Sequence, residues 1–184
     1  MEFFKNHYNL FAVEFFILAI VVADIFSTCN YNWTRNTISD LGSQGYPYRL
    51  IMQIGFLTFG FTLAFGIISS GLTWPKFPIL IYAIGVALTG VFSTRPFFPS
   101  DHYSLSESKI HSFLAQVAGV AFTIGILFQL YFSPSQKEKW INLIFLILVL
   151  GFSISFGLFK NHQGLAQRLL YFTSFIWLVK LFKP

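Results

Sequence analysis

The sequence predicts an all-α integral membrane protein, a bundle of six transmembrane helices. The first reason is composition: 55% of the 184 residues are hydrophobic, 20% are aromatic and only 10% are charged, whereas a soluble domain carries about 25% charged residues. The 25 phenylalanines of so short a chain would leave large apolar patches exposed in water. The second reason is that long apolar segments alternate with polar connections along the whole chain.

Each predicted helix is an apolar segment long enough to cross a bilayer, which requires about 20 mostly apolar residues. The six segments form one domain over residues 1–184, and their bounds are 9–29, 50–72, 78–94, 111–132, 141–159 and 165–182. Six crossings place both termini on the same side of the membrane. The first, third and fifth connections lie on the opposite side and hold most of the polar sequence. We call that side the loop-rich face.

The orientation follows from the type of basic residue rather than from its number. Lys and Arg are enriched in cytoplasmic loops, but the 12 basic residues divide equally between the two faces of the predicted bundle. All four arginines lie on the loop-rich face, and arginine is the side chain that binds carboxylate or phosphate through two hydrogen bonds. Arginines that belong to a site do not report topology, and the remaining lysines predict cytoplasmic termini. We therefore expect a multi-pass protein of the bacterial inner membrane.

Composition also excludes several kinds of site. The single cysteine, Cys29, excludes an intramolecular disulfide and a site built from several cysteines. The net charge of +5 is spread thinly along the chain and forms no basic cluster of the kind that binds nucleic acid. Membrane lipids are therefore the expected partners.

Ionisable and polar side chains concentrate on the loop-rich face, close to predicted helix ends. The members of this set are Arg35, Ser39, Asp40, Arg95, Asp101, His102, His111, His162 and Arg168. Because the helix ends of a small bundle lie near one another, we expect these side chains to converge on one site.

Asp24 carries the most specific prediction of any single residue, because it is a carboxylate inside the first predicted span. A carboxylate at the centre of a transmembrane helix costs about 2.5–3.5 kcal/mol, and less near the helix end. Asp24 should therefore face the bundle and pair with Arg35, Arg95 or Arg168. Such a pair either only locks two helices together or forms part of a ligand site.

Two motifs on this face have both a structural and a functional interpretation. The sequence from Ser104 to Glu107 predicts a capping box at the start of the fourth helix, and Glu107 then shares a helix face with His111. His111 is a proton-transfer group, a metal ligand or a hydrogen-bonded histidine of the bundle. Ser39 and Asp40 either cap backbone N–H groups or form one wall of the site.

A zinc site is a weaker alternative. Zinc requires three or four ligands, which His102, His111, His162 and Asp101 could supply. No pair among them has the spacing of a zinc motif such as H-E-x-x-H. The sequence identifies no other cofactor.

Several short motifs together resemble a known family. "NTISDLG" follows the first span, "FFPSD" lies near the end of the third, "HSFLAQ" begins the fourth and "GLAQRLLYF" begins the sixth. From about Leu10 to Leu181 this layout resembles the uncharacterised prokaryotic membrane family called domain of unknown function 998. The resemblance implies six helices, and His102 departs from the family pattern. The implied motif positions are Ser39, Asp40, Gly42, Asp101, His111, Ser112, Gly164 and Arg168.

Three functions remain open. The first is binding or processing of a lipid or lipid-linked anionic substrate at the extracytoplasmic face, where arginines hold the anionic group through charge-assisted hydrogen bonds and a histidine transfers protons. The second is a small transporter or proton-coupled carrier, which needs a polar path across the bundle. The third is a non-catalytic structural or sensing role. The first hypothesis assigns ligand binding to Asp24, Arg35, Ser39, Arg95 and Arg168, and catalysis to Asp40, Asp101 and His111.

Overall fold

The protein is a bundle of α-helices in a computed structural model that describes residues 2–182. The six helices are α1 (Glu2–Ile25), α2 (Arg49–Ser69), α3 (Phe77–Val91), α4 (Leu105–Phe132), α5 (Gln136–Leu158) and α6 (Gln163–Lys180). Short 3-10 turns cover Ser39–Gly42, Trp74–Lys76 and Lys160–His162. No strand occurs between residues 2 and 182, which confirms the all-α prediction.

Polar caps set the ends of several helices, so their bounds differ from those of the apolar segments. Helix α4 begins at Leu105, six residues before the predicted span, because Ser104 Oγ accepts a hydrogen bond from the Glu107 N–H at 3.2 Å. Helix α5 begins at Gln136 rather than 141, where Ser135 Oγ accepts from a first-turn N–H. Helix α2 ends at Ser69, just before Gly71 with φ of 92°, a conformation that favours glycine.

Five of the six helices within residues 2–182 are long and apolar enough to cross a membrane: α1, α2, α3 with its preceding turn, α4 and α5. Helix α6 does not reach the same hydropathy, because Gln163, Gln167 and Arg168 lie in its first two turns and Lys180 lies at its end. The prediction of a helical, membrane-type protein is therefore supported, with five candidate spans rather than six.

Helix α6 nevertheless runs antiparallel along α1. Near the chain termini, Asn9 Nδ2 donates to the main-chain oxygens of Leu178 and Phe182 at 2.8 and 3.0 Å. At the other end of the same helix pair, Arg168 Nη2 lies 3.1 Å from Asp24 Oδ1. Helix α6 thus spans the distance between Asn9 and Asp24 on α1.

Aromatic rings fill the core where α1, α2 and α6 meet. Phe16 is fully buried, and its ring centroid lies 5.2 Å from Phe56, 4.9 Å from Phe59, 5.3 Å from Tyr171 and 5.7 Å from Phe175. These separations fall in the range at which aromatic pairs attract beyond simple area burial. The interior of the bundle is therefore closely packed and apolar.

Helix α5 lies at the edge of the bundle and is held mainly by its first half. Its buried residues are Asn142, Leu146 and Val149, and Trp177 Nε1 donates to Asn142 Oδ1 at 2.8 Å. Its second half exposes apolar side chains such as Ile154, at 59%. An apolar exterior of this kind is expected of a helix that faces lipid.

Candidate functional site

Arg168 is the centre of the polar contacts at the loop-rich face. Its Nη1 donates to the main-chain oxygens of Trp33 at 2.8 Å and Asn36 at 3.0 Å, and its Nη2 donates to Tyr31 Oη at 2.6 Å and Asp24 Oδ1 at 3.1 Å. The Arg168 side chain is 16% exposed and that of Asp24 is 36% exposed. The prediction that Asp24 pairs with one of three arginines is therefore fulfilled by Arg168.

The first connection also caps the amino end of α6. Gly164 N–H donates to Arg35 O at 3.2 Å, and Leu165 N–H donates to Thr34 O at 2.9 Å. The first N–H groups of a helix have no partner within the helix, and here a segment about 130 residues earlier in the chain supplies the acceptors. A Cβ atom on Gly164 would overlap the main-chain oxygens of Trp33 and Asn36, so glycine permits this close approach.

Tyr31 and Gln167 complete these contacts. Tyr31 Oη donates to Thr37 O at 3.0 Å, and burial raises the pKa of Tyr31 although the Arg168 charge acts in the opposite direction. Gln167 Oε1 accepts from the Ile38 N–H at 2.6 Å. We call this set the Arg168 network; its side chains are Asp24, Tyr31, Thr37, Asp40, Gln167 and Arg168.

Asp40 belongs to the same network through a local cap. Its Oδ2 accepts from the Thr37 N–H at 2.7 Å, and its own N–H donates to Thr37 Oγ1 at 3.1 Å. Burial raises the pKa of Asp40 from its ordinary value, while the hydrogen bonds with Thr37 and the charge at His111 act in the opposite direction. The capping interpretation of Asp40 is thus the one that the geometry displays.

A second polar cluster joins the end of α3 to the start of α4. Gln44 Nε2 donates to Ser93 O at 3.2 Å and Ser104 O at 3.0 Å, and Gln44 Oε1 accepts from Ser104 N–H at 2.7 Å. Gln53 Nε2 donates to Ser93 Oγ at 2.8 Å. We call this set the Gln44 network; its side chains are Gln44, Gln53, Ser93, Ser104, Glu107, Ser108 and His111.

The capping box predicted at Ser104 forms in only one direction. Ser104 Oγ accepts from Glu107 N–H, but Glu107 Oε1 accepts from Ser93 N–H at 2.7 Å instead of returning to the N–H of Ser104. That N–H is taken by Gln44. The Glu107 carboxylate therefore binds the main chain just beyond the end of α3.

His111 is 5% exposed, and its Nδ1 lies 2.7 Å from Phe92 O. A main-chain oxygen only accepts hydrogen bonds, so Nδ1 carries the proton in this contact. Phe92 follows the last residue of α3, where carbonyl groups lack a partner within the helix. Among the three predicted roles of His111, this contact corresponds to a hydrogen-bonded histidine of the bundle.

The side chains of the remaining predicted residues take no part in either network. The side chains of Arg35, Arg95, Asp101, His102 and His162 are exposed. Arg35 and Arg95 take part through main-chain atoms only, the latter by donating its N–H to Ser108 Oγ at 3.1 Å. Ser39 lies in the 3-10 turn beside Asp40.

The residues of the zinc alternative do not come together. Within the described chain, no group of three or more His, Cys, Asp or Glu side chains could hold a metal ion. Asp101 and His102 are exposed in the third connection, His162 is exposed in the fifth, and His111 is buried against α3.

Sequence reasoning missed Tyr31, Gln44, Ser93 and Gln167. Tyr31, Gln44 and Gln167 bond to main-chain atoms of a connection or helix end. Ser93 Oγ accepts from Gln53 Nε2, and the Ser93 N–H donates to Glu107 Oε1. Their only sequence signal is their position in polar stretches that flank apolar segments, and this signal does not distinguish them from solvated residues.

A helical membrane-type protein whose loop-rich end is closed by two polar networks is the class that this fold defines. The family model for proteins of unknown function, DUF998, matches residues 11–182, so the chain belongs to that family and the resemblance is confirmed. The motif positions Asp40, His111, Gly164 and Arg168 all lie in the contacts described above. No curated protein and no solved structure matches the chain.

We expect Arg168→Gln to lower the free energy of unfolding by about 2–3 kcal/mol, since hydrogen bonds to a charged group are lost and their acceptors are left unpaired. Asp24→Asn should lower it by less than about 1 kcal/mol, because Asp24 is partly exposed and the amide oxygen still accepts from Arg168. Thermal unfolding of the purified protein in detergent provides the measurement. Equal losses for the two variants would contradict the central position of Arg168.

We expect Asp40→Asn to reduce the pH dependence of stability. A carboxyl whose pKa is raised in the folded state binds its proton more tightly there, so the folded protein loses stability as pH rises from the ordinary carboxyl range through the raised pKa of Asp40. The asparagine oxygen still accepts from Thr37 N–H but does not titrate. Unfolding of both proteins should be followed from pH 4 to 7; parallel curves for the two proteins would refute the raised pKa.

Proposed function

We propose that the protein crosses the membrane six times and binds an anionic lipid headgroup at its loop-rich face. Binding, rather than chemical conversion, is the proposed activity. The observation that carries it is the distribution of exposed charge at that face. The sixth crossing and the position of the termini are part of the same proposal.

Support for a sixth crossing comes from the contacts of α6 with α1. Helix α1 is itself a candidate span, and α6 lies along it from Asn9 to Asp24. The polar residues in the first two turns of α6 do not face lipid unpaired: Gln167 and Arg168 bond to the first connection, and Gln163 Nε2 donates to Phe156 O at 3.0 Å. Internal pairing of this kind is what permits polar residues in a transmembrane helix.

Support for anion binding comes from the charged side chains that take no part in the two networks. Asp24, Asp40 and Glu107 are all hydrogen-bonded within the networks. Exposed basic side chains therefore dominate the loop-rich face, and Asp101 is the exposed acid that accompanies them. The exposed basic residues at this face are Arg35, Arg49, Arg95, Lys109 and Lys160.

Exposed aromatic residues accompany these charges. Trp33 is 54% exposed, and Tyr48 and Tyr103 are each 44% exposed. Trp and Tyr are enriched at the level of lipid headgroups, where one part of the ring is apolar and the other is hydrated. Arginines at that level can bind a phosphate group through paired hydrogen bonds. Arg168 is not included among the ligand contacts, because its guanidinium is occupied.

Catalysis is left out of the proposal because each predicted catalytic group is either engaged in a structural hydrogen bond or exposed in a connection. Asp40 caps Thr37, His111 bonds to Phe92 O, and Asp101 is exposed in the third connection. A carrier is less well supported as well. Gln53 bonds to Ser93 at the loop-rich end, whereas Gln116 is exposed on the outer surface of α4, so these glutamines do not form a path through the aromatic core.

Cysteine labelling tests the six crossings. We expect a membrane-impermeant maleimide to label the exposed Cys29 in right-side-out vesicles. In a Cys29→Ser background, Gln136→Cys and a cysteine appended after Pro184 should react only after permeabilisation. If the appended cysteine instead reacts from the same side as Cys29, α6 does not cross the membrane.

Native mass spectrometry tests headgroup binding. Detergent-purified protein should retain phosphatidylglycerol in preference to phosphatidylcholine, and the double variant Arg35→Gln/Arg95→Gln should weaken that preference roughly tenfold or more, because each surface charge contributes about 1 kcal/mol with anionic lipid. Lys137→Gln/Lys139→Gln, in the first turn of α5 at the other end of the bundle, is the matched control and should change little. Equal retention of both lipids by the unmodified protein would reject anionic headgroup binding.

A further inference from the structure

A groove lies on the outside of the bundle between α3 and α4. Its volume is about 560 Å³. Trp74, Phe77 and Ile81 line one wall, and Phe113, Val120 and Phe128 of α4 line the other. The groove differs chemically from both polar networks, since its walls are apolar with the exception of Gln116.

Gln116 differs from the glutamines near the loop-rich face. Gln44, Gln53 and Gln167 all form hydrogen bonds within the bundle. The side chain of Gln116 is exposed and has no hydrogen-bond partner within residues 2–182. It lies eleven residues beyond the start of α4, or about 17 Å along the helix, and thus within a candidate span.

An amide at that depth requires a partner, because hydrocarbon chains offer no hydrogen bond in exchange for water. The helix surface next to Gln116 would allow another helix to approach. Ala115 and Gly119, four residues apart, are both exposed, and a Cβ atom on Gly119 would meet no atom within 4 Å. Small residues spaced by four let helix backbones come close in lipid, where polar side chains then bond across the interface.

We propose that this face of α4, with the adjacent groove, binds a second copy of the chain, and that the two Gln116 side chains pair across the interface. Two-fold symmetry is the commonest arrangement of identical subunits and brings a residue near the axis against its own copy. A glutamine amide both donates and accepts, so two copies satisfy each other without a further group. An acyl chain in the groove would leave the amide unpaired. Dimerisation does not depend on lipid headgroup binding.

Cysteine cross-linking in native membranes tests the pairing. In a Cys29→Ser background, Gln116→Cys and Val120→Cys should form disulfide-linked dimers on mild oxidation. Phe61→Cys, on the exposed face of α2 at 64%, is the control and should remain monomeric. Equal cross-linking at all three positions, no cross-linking at Gln116→Cys, or a product with the mass of a different protein would each overturn the proposal.

Dimer affinity provides the second measurement. Single-molecule photobleaching in liposomes, over a range of protein-to-lipid ratios, should show a dimer population for the unmodified protein. We expect Gln116→Leu to raise the dimer dissociation constant about threefold to tenfold, the size of an interhelical hydrogen-bond pair in a bilayer, while leaving thermal unfolding unchanged. Monomers at every ratio would overturn the proposal, as would a dimer that Gln116→Leu does not weaken.

Discussion

The loop-rich end of the protein depends on how one guanidinium is satisfied. Arg168 reaches a carboxylate on α1, a tyrosine and two main-chain oxygens in the first connection, and a main-chain oxygen in its own helix. A planar group with five N–H donors can hold several acceptors in fixed directions. Arg168 therefore holds helix α6, the first connection and the end of α1 in fixed positions relative to one another. The cap that the connection provides for α6 lies beside Arg168, where these three parts meet.

The Gln44 network also provides partners for unpaired backbone groups, in this case where the end of α3 meets the start of α4. Short helices leave carbonyl and N–H groups unpaired at their ends, and at a membrane surface these groups are partly shielded from water. His111, Glu107 and Gln44 provide the missing partners for the chain between α3 and α4. Ionisable residues that resemble a catalytic set are thus used largely for backbone groups, while the side chains of Arg35 and Arg95 are exposed.

The features predictable from sequence were those that depend on local pattern or on the energetic demand of one residue. Hydropathy located the helices, the Ser104 cap followed from its motif, and the cost of a carboxylate in a span required an arginine for Asp24. Hydropathy alone placed α6 as a span, although its polar first turns are tolerated only through contacts with the first connection. The partners of Gln44, Gln167 and Tyr31 are main-chain atoms of distant segments, which carry no residue-specific signal. The sequence also does not determine which polar side chains near the helix ends are engaged inside the bundle; those of Asp101 and His162 are exposed.

The capping of α6 by the first connection has a consequence for biosynthesis. During translation, α1 and the first connection emerge before α6. Until then Asp24 lacks its guanidinium, and the oxygens of Thr34 and Arg35 lack the N–H groups of α6. Helix α6, which falls below the hydropathy of the other five helices, therefore joins a partly formed bundle that already presents acceptors for its polar residues.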